Sequence, residues 1–368
     1  MAKGLFTQGM CVLLRQPMSI RDVESRLSMF DVTGRQQSIE DDAAPETLVL
    51  KFRPEVDGHL MVTPSRARWP DDMGEPDENP EAFVAWSLGQ YGPLTYPGCL
   101  GRAIDLGKTG TELRRDAAAH VAHVRLLISY VLGVEDSQQS DEELPMMPDP
   151  DEYDAVAELQ TLTRAVTALL EAPAAIAYFN PAAELLRSAS ELRRGLNLAW
   201  SRQQLPLDMW VQTRHMTSPA GTDEIGWEVV DTVGHGQLDM PDLEAAYFGP
   251  DYRRSDVEAF LDEITQDLVA MFVHDEVSGQ DLYMEGETRD GPGGVSWSAM
   301  CCGDSLNAPP RPTIRWVPDD GRPTPPAVLA DDDDEEEEDD EDLDWLEEQD
   351  LDFIDSDDLE DDELDEPF

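Results

Sequence analysis

The sequence is poor in basic residues. Its 368 residues include only 26 Lys and Arg against 80 Asp and Glu, which gives a formal net charge of −54. Nucleic-acid affinity comes mainly from Lys and Arg that neutralise phosphates, so this composition argues against direct nucleic-acid binding and against anionic membrane surfaces. A surplus of carboxylates instead attracts protein partners that have a basic surface.

Cysteines and long hydrophobic runs are also scarce. The four cysteines, Cys11, Cys99, Cys301 and Cys302, show no regular spacing, and the adjacent pair could bond only with strain, so reduced thiols are expected. The apolar run Met10–Leu14 is too short for the core of a signal peptide, and no stretch reaches the length of a membrane span. These absences favour a cytoplasmic protein.

Motifs of the common enzyme classes are missing as well. The chain has no G-x-S-x-G elbow, dinucleotide fingerprint, kinase set or zinc ribbon. The glycine-rich segment Asp290–Gly294 precedes a strand-like pattern instead of a helix, which indicates a tight turn and not a phosphate-binding loop. We therefore expect no cofactor, and an enzyme is less expected than a binding protein.

What the chain does have is a strongly acidic C-terminal segment. Residues 331–368 contain 26 acidic residues and no basic residue, and their mutual repulsion predicts a disordered tail. Sparse apolar residues interrupt the carboxylates, and Trp345, Leu346, Phe353 and Ile354 are the candidates for binding a partner. Two other interpretations stay open, namely a purely solubilising tail and a mimic of nucleic-acid charge.

The hydrophobic patterns before this tail predict an α+β fold with mixed or antiparallel sheets and packed helices. Strands are predicted at Met10–Leu14, Thr47–Arg53, His59–Thr63, His120–Leu132, Ala174–Phe179, Leu207–Met216, Ile225–Val233, Val295–Met300 and Thr313–Val317. Helices are predicted at Ser19–Phe30, Pro80–Leu88, Thr111–Ala119, Asp154–Glu171, Pro181–Trp200 and Ser255–His274. For His120–Leu132 a buried helix remains the alternative.

A proline-containing acidic stretch divides the chain. Residues 134–153 show no hydrophobic periodicity and predict a linker between an N-terminal α+β half (1–133) and a C-terminal α+β half (154–322), with the disordered acidic tail at 323–368. Both halves combine a strand, a helix and a strand pair. An internal duplication into two related halves is therefore left open.

Two groups of residues are candidates for chemistry. In the turn-rich segment Asp231–Glu244, the side chains of Asp231, His235 and Asp239 could support general acid–base catalysis, although a structured turn before a helix explains the same residues. His120 and His123 form an H-x-x-H pair that would need further ligands to bind a metal.

Tryptophan is well represented, and it has a structural and a functional interpretation. Six tryptophans are spread through the body and are expected mainly in the core, while a few could anchor an interface; they are Trp86, Trp200, Trp210, Trp227, Trp297 and Trp316.

Several phrases, taken in order, resemble a bacterial family catalogued only as a domain of unknown function. They are MCVLLR (10–15), YPGCLGRA (96–103), HVRLLISYVLG (123–133), YFNPAAELL (178–186), LDMWVQTRHM (207–216), DTVGHGQLDMPDLEA (231–245) and DGPGGVSW (290–297). The resemblance covers about residues 10–318. It implies a cytoplasmic protein that is often encoded near type VI or contact-dependent secretion genes and polymorphic toxins. His235 departs from it, since a small polar amide is expected there, which weakens a catalytic role for this histidine.

These observations leave three functional hypotheses. The first is a non-enzymatic binding protein, of immunity or adaptor type, whose partner has a basic surface and is a secreted toxin or effector. The second is a metal-dependent or acid–base hydrolase that uses the Asp231–Glu244 segment. The third is an accessory protein whose acidic tail mimics nucleic acid.

Overall fold

Two β-sheets and the helices packed against them form the described part of the chain. The computed structural model describes residues 5–36, 46–77, 79–130, 153–217, 226–274 and 285–322. The strands are β1 (Gln8–Leu14), β2 (Val32–Gln36), β3 (Thr47–Lys51), β4 (His59–Ser65), β5 (Ala122–Ser129), β6 (Ala175–Asn180), β7 (Leu185–Arg187), β8 (Gln212–Thr217), β9 (Trp227–Val233), β10 (Asp242–Phe248), β11 (Thr288–Asp290), β12 (Ser296–Cys302) and β13 (Thr313–Pro318). The helices are α1 (Ile20–Arg26), α2 (Pro80–Ser87), α3 (Cys99–Asp105), α4 (Thr111–Ala118), α5 (Ala155–Leu169), α6 (Ala189–Arg202) and α7 (Arg254–His274).

The first sheet has seven strands in the order β2-β3-β4-β5-β1-β6-β7, and neighbouring strands run antiparallel. Every residue of β1 is buried because the strand lies between β5 and β6 and both of its faces are covered. Alternate side chains enter two different clusters, with Met10 and Val12 in the main core and Cys11 and Leu13 in a smaller core under Trp69. A strand covered on both sides needs an uninterrupted apolar run, which explains this segment of the sequence.

The second sheet has six strands in the order β11-β12-β13-β10-β9-β8. Its pairs are antiparallel except for β10 and β13, which run parallel. The chain reaches β13 from β10 through α7, β11 and β12. The last strand of the described fold therefore lies in the interior of the sheet.

One hydrophobic core connects both sheets. It contains Leu126 of β5, Leu162 of α5, Leu261 of α7 and Trp316 of β13, all of them buried. Helix α5 begins at Asp154, whose carboxylate accepts a hydrogen bond of 2.9 Å from the amide of Ala157, as expected of a helix N-cap. The predicted α+β fold with largely antiparallel sheets is confirmed.

The predicted helix over Pro181–Trp200 is wrong in its first half. Residues 181–183 form a short 3-10 turn, Glu184 adopts a left-handed conformation with φ of 51°, and β7 follows. The helix starts only at Ala189, because Ser188 and Glu191 form a capping box that fixes its first turn. The Pro181 signal for a helix start was thus outweighed by a stronger one seven residues later.

The predicted division into two halves does not follow the sheets, and the predicted linker and tail lie largely outside the described residues. Strands β6 and β7, which the predicted division assigns to the C-terminal half, pair into the first sheet next to β1. Residues 131–152, which include most of the predicted linker, and residues 323–368, which form the predicted tail, lie outside the described residues. Among the residues that the structure describes, none of the helices is both long enough and apolar enough to span a membrane.

Leu126 offers a test of the shared core. The change Leu126→Ala removes a fully buried side chain between β1 and β4, and we expect a loss of about 2–5 kcal/mol in the free energy of unfolding. Val121→Ala, next to the same strand at a position 45% exposed, is the matched control and should cost less than about 1 kcal/mol. Urea denaturation followed by circular dichroism measures both, and equal losses would contradict the described packing.

Candidate functional site

The candidate acid–base residues lie on strands and not in a loop, so the expected turn-rich segment Asp231–Glu244 needs correction. Asp231 belongs to β9, and β10 begins at Asp242 and includes Glu244. Only residues 234–241 connect the strands, and Gly234 starts this turn with φ of 120°, where a Cβ atom would lie 2.7 Å from the carbonyl oxygen of Trp210. The antiparallel register then places Glu244 opposite Asp231.

Two buried carboxylates on facing positions need counter-charges, and arginines supply them. Arg214 on β8 faces Asp231 across the β8–β9 pair and donates two hydrogen bonds to its carboxylate, of 3.0 and 2.5 Å. The remaining terminal nitrogen of Arg214 donates to Glu184 at 2.8 Å. Arg214 has no exposed side-chain surface, so its charge is neutralised entirely inside the protein.

Arg311 joins the two strands of the hairpin. Its guanidinium donates to Asp231 at 2.7 Å and to Asp242 at 2.9 Å. Further hydrogen bonds go to the carbonyl oxygens of Thr232, Asn307 and Pro309, among other acceptors. Arg311 therefore holds the segment before β13 against both β9 and β10.

The contacts extend to the first sheet through Glu184, which lies between β6 and β7. Arg102 of α3 donates to the second oxygen of Glu184 at 2.7 Å. We call the three arginines and three carboxylates linked in this way the buried ion network: Arg102, Glu184, Arg214, Asp231, Asp242 and Arg311. A neighbouring ion pair of 2.5 Å joins Arg315 to Glu244. Positive and negative charges are equal in number in both groups.

This balance fixes the ionisation of Asp231. Burial alone would raise the pKa of its carboxyl, but Arg214 and Arg311 outweigh burial and hold the pKa below its ordinary value. A carboxylate that is ionised, buried and bonded to two guanidinium groups is a poor proton acceptor. The geometry therefore assigns Asp231 a structural role.

His235 lies beside the network and is fully buried. Its backbone amide donates to Asp242 at 3.0 Å, and its Nδ1 lies 3.2 Å from the carbonyl oxygen of Pro241. Burial lowers the pKa of His235, and its Nε2 has no hydrogen-bond partner among the described residues. Asp239 lies at the end of the turn, with φ of 59°, and is partly exposed. The fold thus brings Asp231 and His235 into one cluster through Asp242, but in a site closed to a substrate.

A cavity of about 110 Å³ lies next to the network, and Glu184, Asp242 and Arg311 contribute to its wall. The rest of the wall is largely apolar and includes Leu94 and Met240. Both carboxylate oxygens of Glu184 and both of Asp242 already accept a hydrogen bond from the protein. The same is true of the two oxygens of Asp231. The cavity consequently offers few groups that could bind or activate a polar ligand.

The two histidines predicted as metal-ligand candidates, His120 and His123, form hydrogen bonds with the backbone. His120 accepts a hydrogen bond of 2.7 Å from the amide of Trp69 at Nε2, so its Nδ1 carries the proton and donates to the carbonyl oxygen of Ala117 at 2.6 Å. His123 uses Nδ1 to donate to Ala67 at 3.0 Å and packs edge-on against Trp69. Both ring nitrogens of His120 are thus engaged by backbone groups. Among the described residues, no three His, Cys, Asp or Glu side chains are grouped as a metal site requires.

The predicted partner-binding residues Trp345, Leu346, Phe353 and Ile354 lie outside the described residues. A different exposed aromatic residue appears in the described part. Trp200, near the end of α6, is 64% exposed and borders a groove between α1, α5 and α6. The sequence showed Trp200 only as one of six body tryptophans, because helical periodicity does not reveal which face a neighbouring helix leaves uncovered.

Comparison with protein-family models, with curated proteins and with solved structures finds no match to this chain. The resemblance to the bacterial family of unknown function therefore stays a prediction. The functional argument rests on the geometry and the charge distribution described above.

Asp231→Asn tests the buried ion network. The substitution keeps the size of the side chain but removes the charge that faces Arg214 and Arg311, and we expect a loss of about 3–5 kcal/mol in unfolding free energy. The matched control is Arg254→Ala, which removes an exposed ion pair with Glu258 and should cost less than about 1 kcal/mol. Urea denaturation decides, and a loss below 1 kcal/mol for Asp231→Asn would show that the network is not a structural element.

The buried histidines predict an acid-sensitive fold. Burial lowers the pKa of His123 to about 4, whereas an unfolded histidine has a pKa of about 6.5. Between these values the unfolded chain binds a proton that the folded chain does not, so stability falls as the pH decreases from about 6.5 to 4, by about 3 kcal/mol for this group. His123→Gln cannot titrate and should flatten the stability–pH curve in this window. Parallel curves for the two proteins would refute the assignment.

Proposed function

We propose that this chain is a non-enzymatic binding protein of the cytoplasm, of immunity or adaptor type, whose partner is a protein with a basic surface. The observation that carries this proposal is the distribution of charge. The described residues contain 37 acidic and 25 basic side chains, whereas the rest of the chain contains 43 acidic residues and a single lysine. Most of the uncompensated carboxylates are therefore concentrated in a few segments, above all residues 331–368.

In the buried ion network and in the Arg315–Glu244 pair, by contrast, arginines neutralise the carboxylates one for one. Charges paired in this way do not attract a partner. A segment with a large excess of carboxylates does, because its field raises the association rate of an oppositely charged protein by about 10–10³ at low salt. The secreted toxins suggested by the family resemblance include nucleases, whose substrate grooves are basic and fit such a segment.

The ionisation and burial of the candidate catalytic residues favour binding over catalysis. Asp231 is ionised between two arginines, and His235 is fully enclosed. A general base must reach the proton that it removes, within about 3 Å or through one water. Neither side chain offers that access, so the hydrolase hypothesis has less support than the binding hypothesis.

The experiment is an affinity capture from the native host with three proteins, followed by titration of the captured partner. The proteins are the full chain, a chain that ends at Ala330, and a matched full-length variant in which Trp345, Leu346, Phe353 and Ile354 are changed to Ser with every carboxylate retained. We expect the full chain to capture one basic protein, with an affinity that decreases linearly with the logarithm of salt concentration. Truncation should weaken the affinity at least tenfold and reduce the salt dependence.

The Ser variant separates charge from apolar contact. A weakening similar to that of the truncation would identify the four apolar residues as anchors, and an unchanged affinity would leave the carboxylates as the main attraction. Equal capture by the truncated chain, or a partner without a basic surface, would overturn the proposal.

A further inference from the structure

A groove between α1, α5 and α6 leaves apolar side chains of the fold uncovered. Its volume is about 740 Å³, and Leu196, Leu205 and Trp210 form its apolar floor. Trp210 is fully buried there, and its indole nitrogen donates a hydrogen bond of 2.9 Å to Thr163 of α5. The floor is thus a rigid part of the core and not a loose surface.

Large apolar side chains at the edge of this groove are exposed to solvent. Trp200 is 64% exposed and Met29 is 55% exposed, and both line this groove, whereas Leu198, which is 45% exposed, lines a second groove on the other side of α6. Single exposed apolar residues are ordinary, but a contiguous set around a concave surface marks an interaction site. Tryptophan is also the residue most enriched among those that dominate binding energy in interfaces.

The size of the surface indicates what kind of ligand fits it. A second groove of about 650 Å³ lies between α6 and α7 and shares Gln204, Leu205 and Pro206 with the 740 Å³ groove. The two grooves therefore meet near the C-terminal end of α6, and the second one adds Arg202, Asp208 and Asp267 to the lining. Pockets for small molecules have volumes of about 300–1,000 Å³, so either groove alone could hold a small ligand, and only the two together exceed that range. A segment of polypeptide that lies across both grooves matches the combined surface better.

The lining of the 740 Å³ groove has more positive than negative side chains, unlike the described chain as a whole. Arg26 and Arg164 line it, and Glu171 is the only carboxylate among its described lining residues. Within the described part of the chain neither arginine forms a salt bridge, although the charge of Arg26 contributes to the lowered pKa of Asp22 one turn earlier in α1. The arginines of the buried ion network are all paired. The guanidinium of Arg164 lies 5.6 Å from the ring centre of Phe30, which positions it at the rim.

From these observations we propose that the groove binds an amphipathic helix of a partner protein, with apolar residues on one face and carboxylates along its edge. Leucine or aromatic side chains at positions i, i+3, i+4 and i+7 would contact Trp200 and the floor, and the flanking carboxylates would pair with Arg26 and Arg164. This goes beyond the proposed function, because that function assigns a basic partner to the acidic segments. A chain with both surfaces can hold a basic and an acidic partner at once, as an adaptor does.

The test uses the full chain and a random 16-residue peptide library displayed on phage. Selection on the unmodified protein is compared with selection on Trp200→Ala. Because this variant retains every acidic segment, basic peptides that bind those segments are enriched on both proteins and can be excluded. We expect the peptides enriched on the unmodified protein to be net negative, with apolar residues at helical spacing. Enrichment of net positive peptides, or no enrichment over Trp200→Ala, would overturn the proposal.

The best synthetic peptide is then titrated by fluorescence anisotropy. Trp200→Ala and, independently, Arg164→Glu should each weaken its binding at least tenfold. The controls Leu88→Ala and Arg115→Glu change the exposed leucine that follows α2 and an exposed arginine of α4, and they should leave the affinity unchanged. Equal effects in all four variants would contradict a specific site. A dimer that dissociates on Trp200→Ala, measured by light scattering, would instead show that a second copy of the chain covers the groove.

Discussion

The bidentate pairing of Arg214 with Asp231 lies at the centre of the buried ion network that joins the two sheets. Through Asp231 it reaches Arg311 and then Asp242, and through Glu184 it reaches Arg102 in a helix that packs on the first sheet. Buried charges are costly unless they are paired, so each member of this network is tolerated only because the others are in place. Correct geometry of the junction between the two sheets follows from this mutual requirement.

Uncharged polar contacts support the same junction. Gln237, in the turn between β9 and β10, accepts a hydrogen bond from Asn180 of β6 and donates one to the carbonyl oxygen of Trp210. Its own carbonyl oxygen accepts a hydrogen bond of 2.6 Å from Gln8 of β1. The turn that the sequence indicated as a candidate acid–base site is therefore a polar contact between the two sheets. Its buried histidine and the adjoining carboxylates specify how the sheets meet.

The parts of the fold that local patterns describe were predictable, and the parts that depend on distant charges were not. The uninterrupted apolar run of β1 and the amphipathic stripe of α5 can be recognised from the local sequence alone. Strand β10 was missed because Asp242 and Glu244, on the face opposite to Leu243, Ala245 and Tyr247, give the segment the composition of a loop. Their partners Arg311 and Arg315 lie 69 and 71 residues away along the chain, and only the β10–β13 register makes the alternation of opposite charges visible.

The parallel pairing of β10 with β13 has a consequence for how the chain folds during synthesis. Strands β8, β9 and β10 emerge from the ribosome together with Asp231, Asp242 and Glu244, but Arg311 and Arg315 follow only after α7, β11 and β12. Until then these carboxylates have a single fixed cation, Arg214, and the edge of β10 is unpaired. Completion of the second sheet is therefore a late event, set by contacts of long sequence separation, and the nascent intermediate exposes a strand edge that carries negative charge, which discourages aggregation.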